Sequence, residues 1–337
     1  MLEIYVIFFT LILILLFNYI SEKKQFLIDK KFNIHKSFAT KNIVPITGGL
    51  TLLILSLFFL KFENQYIKFF LIFVFLVGLL SDINYLFSPI KRLFLQILIV
   101  LLFINYDQIF INSIRVQMFD NLLSNIYFKY FFTTFCFLVL MNGSNFMDGI
   151  NTLLIGYFLS LSVITLISIE KFNLPYDIFN LKILVSILIV VISFNFFGKL
   201  ISGDSGAYLI SFIIGYFLIE LANTSNRVSP YFVACLLWYP AYECLFSIIR
   251  KIKVKKSAAE PDNRHLHQLI LLFFKRKLKL RGNFLNTFSG MTINLFNIII
   301  FYAAFENVSQ TKNLIMINML CLLTYNLIYY YLNKSLK

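Results

Sequence analysis

Asp82, Asp148, Asp204 and Glu243 fall at the ends of long apolar runs, beside glycines, amides and hydroxyls. Their contexts are Ser81-Asp82-Ile83-Asn84, the stretch from Asn142 through Asn145 and Asp148-Gly149-Ile150 to Asn151, Gly203-Asp204-Ser205-Gly206, and Pro240-Ala241-Tyr242-Glu243. One aspartate at a helix end is ordinarily a cap. Four on one side of a molecule ask for more. Carboxylate and amide oxygens suit a hard divalent cation, and magnesium keeps substrate phosphates among its oxygen ligands. Glycines around Asp148 and Asp204 let backbone N–H groups approach a phosphate at the start of the following helix. The chain has three histidines, and two of them, His265 and His267, lie in a strongly basic stretch able to clamp further anionic oxygens. Their i, i+2 spacing does not share a helical face and fits a loop. Two histidines alone do not make a zinc site.

The elements that must position these groups follow from composition. Of 337 residues, 59% are apolar and 14% charged, against roughly 45–50% and 25% in soluble domains. A soluble core of this length cannot hide so much apolar surface, so the expected solvent is lipid. Disorder and disulfide scaffolds are excluded, and Cys136, Cys235, Cys244 and Cys321 are scattered singly inside apolar runs. The expected fold is all-α, a polytopic membrane helix bundle in one domain over residues 1–337. Eleven spans are expected, at about 2–20, 45–61, 66–80, 92–106, 127–142, 149–169, 181–197, 206–222, 230–249, 286–305 and 312–332.

Of the 30 basic residues, 22 fall in the odd-numbered connections and the C-terminal tail, eleven of them between Arg250 and Arg281. The positive-inside rule then puts the N-terminus outside and the C-terminus in the cytoplasm. The net charge of +14 reads as topology and attraction to anionic membrane lipid, with no nucleic-acid partner. All three histidines and the four carboxylates fall on the cytoplasmic side, while Glu220 is expected at the outer interface. A transporter for an anionic substrate is the rival class, but it would place its polar groups near the bilayer midplane.

The order and spacing of these segments resemble the polyprenyl-phosphate N-acetylhexosamine-1-phosphate transferase family. The resemblance covers residues 29–270 and begins with Asp29-Lys30 through His35-Lys36, Lys41, and Pro45-Ile46-Thr47-Gly48-Gly49. It continues through Gly78-Leu79-Leu80-Ser81-Asp82 with Pro89, Lys91 and Gln96, and through Asn142–Leu153, similar to an Asn-x-x-Asn-x-x-Asp-Gly signature. Phe194-Asn195 with Gly203–Gly206 is similar to a Gly-Asp-x-Gly loop, Pro240–Glu243 to a Pro-x-x-Asp element, and Pro261–His267 to an Asp-Arg-x-His-x-His loop.

The resemblance implies that a lipid phosphate, undecaprenyl phosphate, attacks a UDP-N-acetylhexosamine, releasing UMP, on the cytoplasmic face of the bacterial inner membrane. It implies Mg2+ or Mn2+ held by Asp204 and Asp148, with Asp82, Asp148, His265 and His267 in the catalytic group. Asn142 and Asn145 are implied near the metal or diphosphate, Lys41, Gly149, Ile150 and Asn151 near the uridine, and Arg264 near the sugar phosphate. The family is often dimeric, so a homodimer is a further implied partner. The sequence departs from the pattern at Ser81, where the first of two aspartates is usual, and at Ile201, Glu243 and Gln268. The absence of a consecutive histidine triplet favours initiation of a surface polysaccharide, such as lipopolysaccharide, over the phospho-N-acetylmuramoyl-pentapeptide translocase of cell-wall synthesis. Which hexosamine is used stays open.

Overall fold

The computed structural model describes residues 2–28, 44–253, 255 and 264–336. Lys41 and His35 lie outside the described residues, as do Pro261, Asp262 and Asn263. Among the described residues there is no strand, only an isolated bridge between Ile28 and Pro45.

The first helices are α1 (Leu2–Lys24), α2 (Gly48–Phe59), α3 (Tyr66–Asp82), α4 (Pro89–Asp107) and α5 (Gln117–Leu123). Then come α6 (Ile126–Met147), α7 (Leu153–Phe172), α8 (Phe179–Phe196) and α9 (Gly203–Thr224). The chain closes with α10 (Pro230–Lys253), α11 (Leu266–Lys277), α12 (Gly282–Phe305) and α13 (Thr311–Ser335). Each of the eleven expected spans coincides with one helix, and α5 and α11 are additional. Among the described residues nine helices are long and apolar enough to cross a membrane: α1, α4, α6 to α10, α12 and α13. The second and third expected spans instead form helices of 12 and 17 residues. α2 starts late because the chain before it is extended, with Ile46 N–H bonded to Leu27 and Pro45 C=O accepting from Ile201. Large apolar side chains such as Phe8, Phe58, Phe94, Leu295 and Leu323 point outward. Water-soluble monomers rarely expose contiguous apolar patches beyond a few hundred Å2, and lipid is the solvent that accepts this surface.

Local chemistry sets several helix ends. Ser88 caps α4 through its hydroxyl on Lys91 N–H, with Pro89 at the first helical position, where its missing N–H costs nothing. Asn125 caps α6, accepting from Tyr127 and Phe128 N–H. Pro240 lies inside α10 and cannot donate to the carbonyl four residues back. That carbonyl, Leu236 C=O, accepts the Tyr157 hydroxyl of α7 at 2.7 Å, so the break in the ladder becomes a bond between helices.

At the centre is α9, buried along nearly its whole length and packed by α2, α3 and α6. α3 can approach it only because position 78 is glycine: a Cβ there would stand 2.3 Å from the Ser205 Cα. The start of α9 therefore meets the end of α3, the end of α6 and the start of α4 at one end of the bundle, where the candidate residues gather.

Candidate active site

The first N–H groups of a helix have no intrahelical partner, and the helix dipole makes them electropositive. Ser202, in the N-cap position of α9, supplies no side-chain cap. Two carboxylates from other helices do so instead. Asp148, just past the end of α6, accepts Gly203 N–H on Oδ2 at 2.9 Å. Asp82, the last residue of α3, accepts Asp204 N–H on Oδ1 at 2.8 Å and Ser205 N–H on Oδ2 at 3.1 Å. The Ser205 hydroxyl donates to the same Oδ2 at 2.7 Å. Gly203 has φ +74°, and a Cβ there would come within 2.5 Å of both Asp82 Oδ2 and Ile46 Cγ2, so this turn admits glycine alone. The expectation that these N–H groups meet a phosphate is thus corrected: carboxylates, which carry the charge the dipole favours, already take them.

The Asp204 side chain faces α4. Its Oδ2 accepts the Ser81 hydroxyl at 2.6 Å and a guanidinium N–H of Arg92 at 2.9 Å, and Arg92 also donates to Ser81 Oγ at 2.5 Å. Where the resemblance would have the first of two aspartates, Ser81 thus joins Asp204 to Arg92. All three are partly buried. The expected trio of Asp82, Asp148 and Asp204 converges on the first turn of one helix. Among the described residues no three His, Cys, Asp or Glu are disposed to share one ion. Magnesium commonly takes one or two protein carboxylates and completes its shell with water and phosphate oxygens, and the hard oxygens of Asp148 and Asp204 fit that donor chemistry.

The second half of the site is built on Glu243 and the two histidines. Glu243 of α10 is fully buried. Its Oε1 is 2.8 Å from His265 Nδ1 and accepts Leu266 N–H at 3.4 Å, while Oε2 accepts the Tyr325 hydroxyl of α13 at 2.8 Å. Gln268 Oε1 accepts His265 N–H at 3.1 Å, fixing the entry to α11. The His265 ring packs against Phe146 (centroids 4.6 Å apart) and stacks on His267 (5.5 Å, 9° between planes). The loop expected for both histidines is corrected in part: His265 is the extended N-cap residue and His267 lies in the first turn of α11. Extended backbone at residue 265 lets side chains two apart face the same way.

His267 is wholly buried, and neither ring nitrogen has a hydrogen-bond partner. Burial pushes its pKa down to about 3, His265 adds to the fall and Glu243 opposes it, so the ring is neutral at pH 7. Leaving a buried polar group unpaired costs about 1–3 kcal/mol, which asks for an explanation such as a ligand atom. Gly149, next to Asp148, touches this ring: a Cβ there would stand 3.1 Å from His267 Nε2. Asp148–Gly149 therefore links the acidic trio and the histidine pair.

The expected amides are used in scaffolding. Asn142 donates to Gln96 Oε1 of α4 at 2.9 Å, and Asn145 donates to the Tyr208 hydroxyl of α9 at 3.0 Å. Asn151 is buried, its N–H held by Asn286 Oδ1 at 2.7 Å. Arg264 is exposed, and its carbonyl accepts from the Arg250 guanidinium. Lys41 lies outside the described residues. Glu220 is at the far end of α9, half-buried, accepting the hydroxyls of Tyr176 and Tyr216.

Sequence reasoning missed Arg92, Ser205, Phe146 and Tyr325. Arg92 carried a signal, a basic residue one turn before Gln96 in a recognised segment, but counted only toward topology. Tyr325 carried none, being one of 19 tyrosines.

Residues 64–222 match glycosyl transferase family 4. The chain is similar to an undecaprenyl-phosphate alpha-N-acetylglucosaminyl 1-phosphate transferase of Thermotoga maritima, 27% identical over 236 residues, covering 70% of this chain and 69% of the relative. The enzyme of the same name from Escherichia coli K12 is 27% identical over 150 residues, 43% of this chain and 41% of that one. A probable undecaprenyl-phosphate N-acetylglucosaminyl 1-phosphate transferase of Bacillus subtilis is 30% identical over 142 residues, 39% and 37% of the two chains. The last two matches span well under half of those relatives' lengths. The matching family model and the names of these relatives agree with the resemblance carried by the motifs.

Proposed function

We propose that this chain, a relative of the family 4 glycosyl transferases, moves a sugar-1-phosphate from a UDP-sugar to undecaprenyl phosphate and releases UMP. The observation that supports it best is the meeting of Asp82, Asp148 and Asp204, from three separate segments, on the first turn of α9. The names of the relatives favour N-acetylglucosamine-1-phosphate as the group moved.

A phosphate oxygen of the lipid attacks the sugar-proximal phosphorus of the donor. A new P–O bond forms, the bond from that phosphorus to the bridging oxygen breaks, and UMP leaves with that oxygen. Such transfers depend on positioning and charge neutralisation more than on a covalent nucleophile. A magnesium or manganese ion held by Asp148 and Asp204 would neutralise charge on the donor diphosphate. Asp82 holds the turn that carries Asp204, and Arg92 with Ser81 orients the Asp204 carboxylate. His267 offers a neutral ring N–H to a substrate oxygen beside Gly149. Phosphate monoesters have a second pKa of about 6. The acceptor is therefore largely dianionic at pH 7, and Ser81 in place of a carboxylate removes no necessary base.

The site end of the bundle also carries Lys23, Lys24, Lys91, Lys199 and Arg250. This supports a cytoplasmic site, with the product starting a cell-surface polysaccharide. The test is the purified protein in detergent with labelled UDP-N-acetylglucosamine, Mg2+ and undecaprenyl phosphate. Chloroform-soluble label with stoichiometric UMP is expected. Folded protein that turns over no member of a panel of UDP-hexosamines would overturn the reading.

A further inference from the structure

We infer that Tyr325, on the last helix, is a positioning residue for the histidine side of the site, acting through Glu243. The inference rests on the transferase reading above and goes beyond it, because α13 lies past every recognised segment, the last of which ends near residue 270.

The chain of contacts is short and buried throughout. The Tyr325 hydroxyl donates to Glu243 Oε2, and Glu243 Oε1 stands 2.8 Å from His265 Nδ1. Tyr325, Glu243 and His265 are at most about one-twentieth exposed. An ionised carboxylate is an acceptor only, so the proton between it and the ring belongs to Nδ1. In the neutral ring Nε2 is then the acceptor. Fixing one ring nitrogen in this way sets both tautomer and ring plane, as it does for metal-bound histidines whose other nitrogen is held by a carboxylate.

A lone carboxylate could rotate and let the ring turn with it. The Tyr325 hydroxyl occupies the second oxygen and removes that freedom. Tyr325 is itself held edge-on by Tyr242 and Phe246, with centroids 4.8 and 5.2 Å away, and lies parallel to Tyr329 at 6.2 Å. His265 stacks on His267, and His267 touches Gly149, so a fixed His265 plane also fixes the orphan ring beside the acidic trio.

With three histidines in the chain, imidazole signals are few enough to assign. Full-length protein carrying 15N-histidine, in detergent, is examined by long-range 1H–15N spectra, and kcat and KM for the UDP-sugar are measured on the same preparations. In wild type, His265 should show its proton on Nδ1. Tyr325→Phe should move the His265 signals toward a tautomer mixture and lower kcat about tenfold at unchanged KM, the scale on which such orienting partners act. Glu243→Gln should do so more strongly. Asn326→Ala, on the same helix with its amide on the Tyr242 hydroxyl and Leu322 C=O, should leave the His265 signals in place. An unchanged His265 spectrum in Tyr325→Phe overturns the inference, whatever happens to kcat. If wild type turns over no UDP-sugar, the transferase reading fails while the spectra still decide the Tyr325–Glu243–His265 link.

Discussion

Asp82 Oδ2 accepts both the backbone N–H and the hydroxyl of Ser205, so one carboxylate oxygen from α3 pins the first turn of α9. With Oδ1 on Asp204 N–H, the carboxylate spans two successive residues. It replaces the cap that Ser202 does not supply. Asp82→Asn keeps the shape but offers only one acceptor atom and turns an NH2 toward an N–H. Hydrogen bonds to charged groups are worth about 1.5–3 kcal/mol. The variant should melt several degrees lower in detergent and lose most turnover, and an unchanged melting midpoint would refute the capping role.

Gly203→Ala tests the same turn from the other side. A β-carbon at φ +74° would strain the backbone by roughly 1–2 kcal/mol and press on Asp82 Oδ2 and Ile46. Expression of folded protein should fall sharply. Gly282→Ala, also at positive φ but with nothing within 4 Å, should cost only the backbone strain. Comparing the two by thermal melting separates strain from collision.

Asp204→Asn should leave the fold standing while abolishing turnover, because the cap on α9 uses the Asp204 backbone and not its side chain. The amide oxygen can still accept from Ser81 and Arg92, so the loss would report the charge. A variant with the wild-type rate would show that the Asp204 carboxylate has no part in the reaction.

His267 links stability to pH. Its folded pKa of about 3 lies below the ordinary 6.5, so the unfolded chain binds its proton more readily. The stability it allows is fully present above about pH 6.5 and is lost as pH falls toward 3. Between pH 7 and 5 this amounts to about 2 kcal/mol. His267→Phe should flatten the fall of the melting midpoint over that range; an acid limb as steep as wild type would refute the assignment. The same variant should raise KM for the donor if the orphan nitrogens meet a substrate oxygen.

Much of this was legible in the chain itself. Apolar runs of about 15 to 20 residues located eleven of the helices, nine of which, among the described residues, are long and apolar enough to cross a membrane, where lipid leaves the backbone few other ways to satisfy its own hydrogen bonds. Asp82, Asp148, Asp204, His265 and His267 could be named because polar residues at the ends of such runs are few and fall in recognisable segments. What each does was not legible. Asn142 and Asn145 looked like ligands, and that their amide NH2 groups also tie to Gln96 and Tyr208 was not legible, since nothing local shows which partner lies across a helix interface. The i, i+2 histidines looked like loop residues because the spacing does not show that the chain turns from extended to helical between them.

The sequence by itself determined the solvent, the helices and the end of the bundle at which charge collects, since these depend on local composition and on the cost of polar groups in hydrocarbon. Only the tertiary structure decided that α3 and α6 deliver their terminal aspartates to the same turn of α9. It alone brought Arg92 to Asp204 and set the final helix behind Glu243. Those pairings join residues 55 to 123 positions apart, and they exist because small residues such as Gly78 let the backbones approach while buried carboxylates must find donors wherever packing offers them.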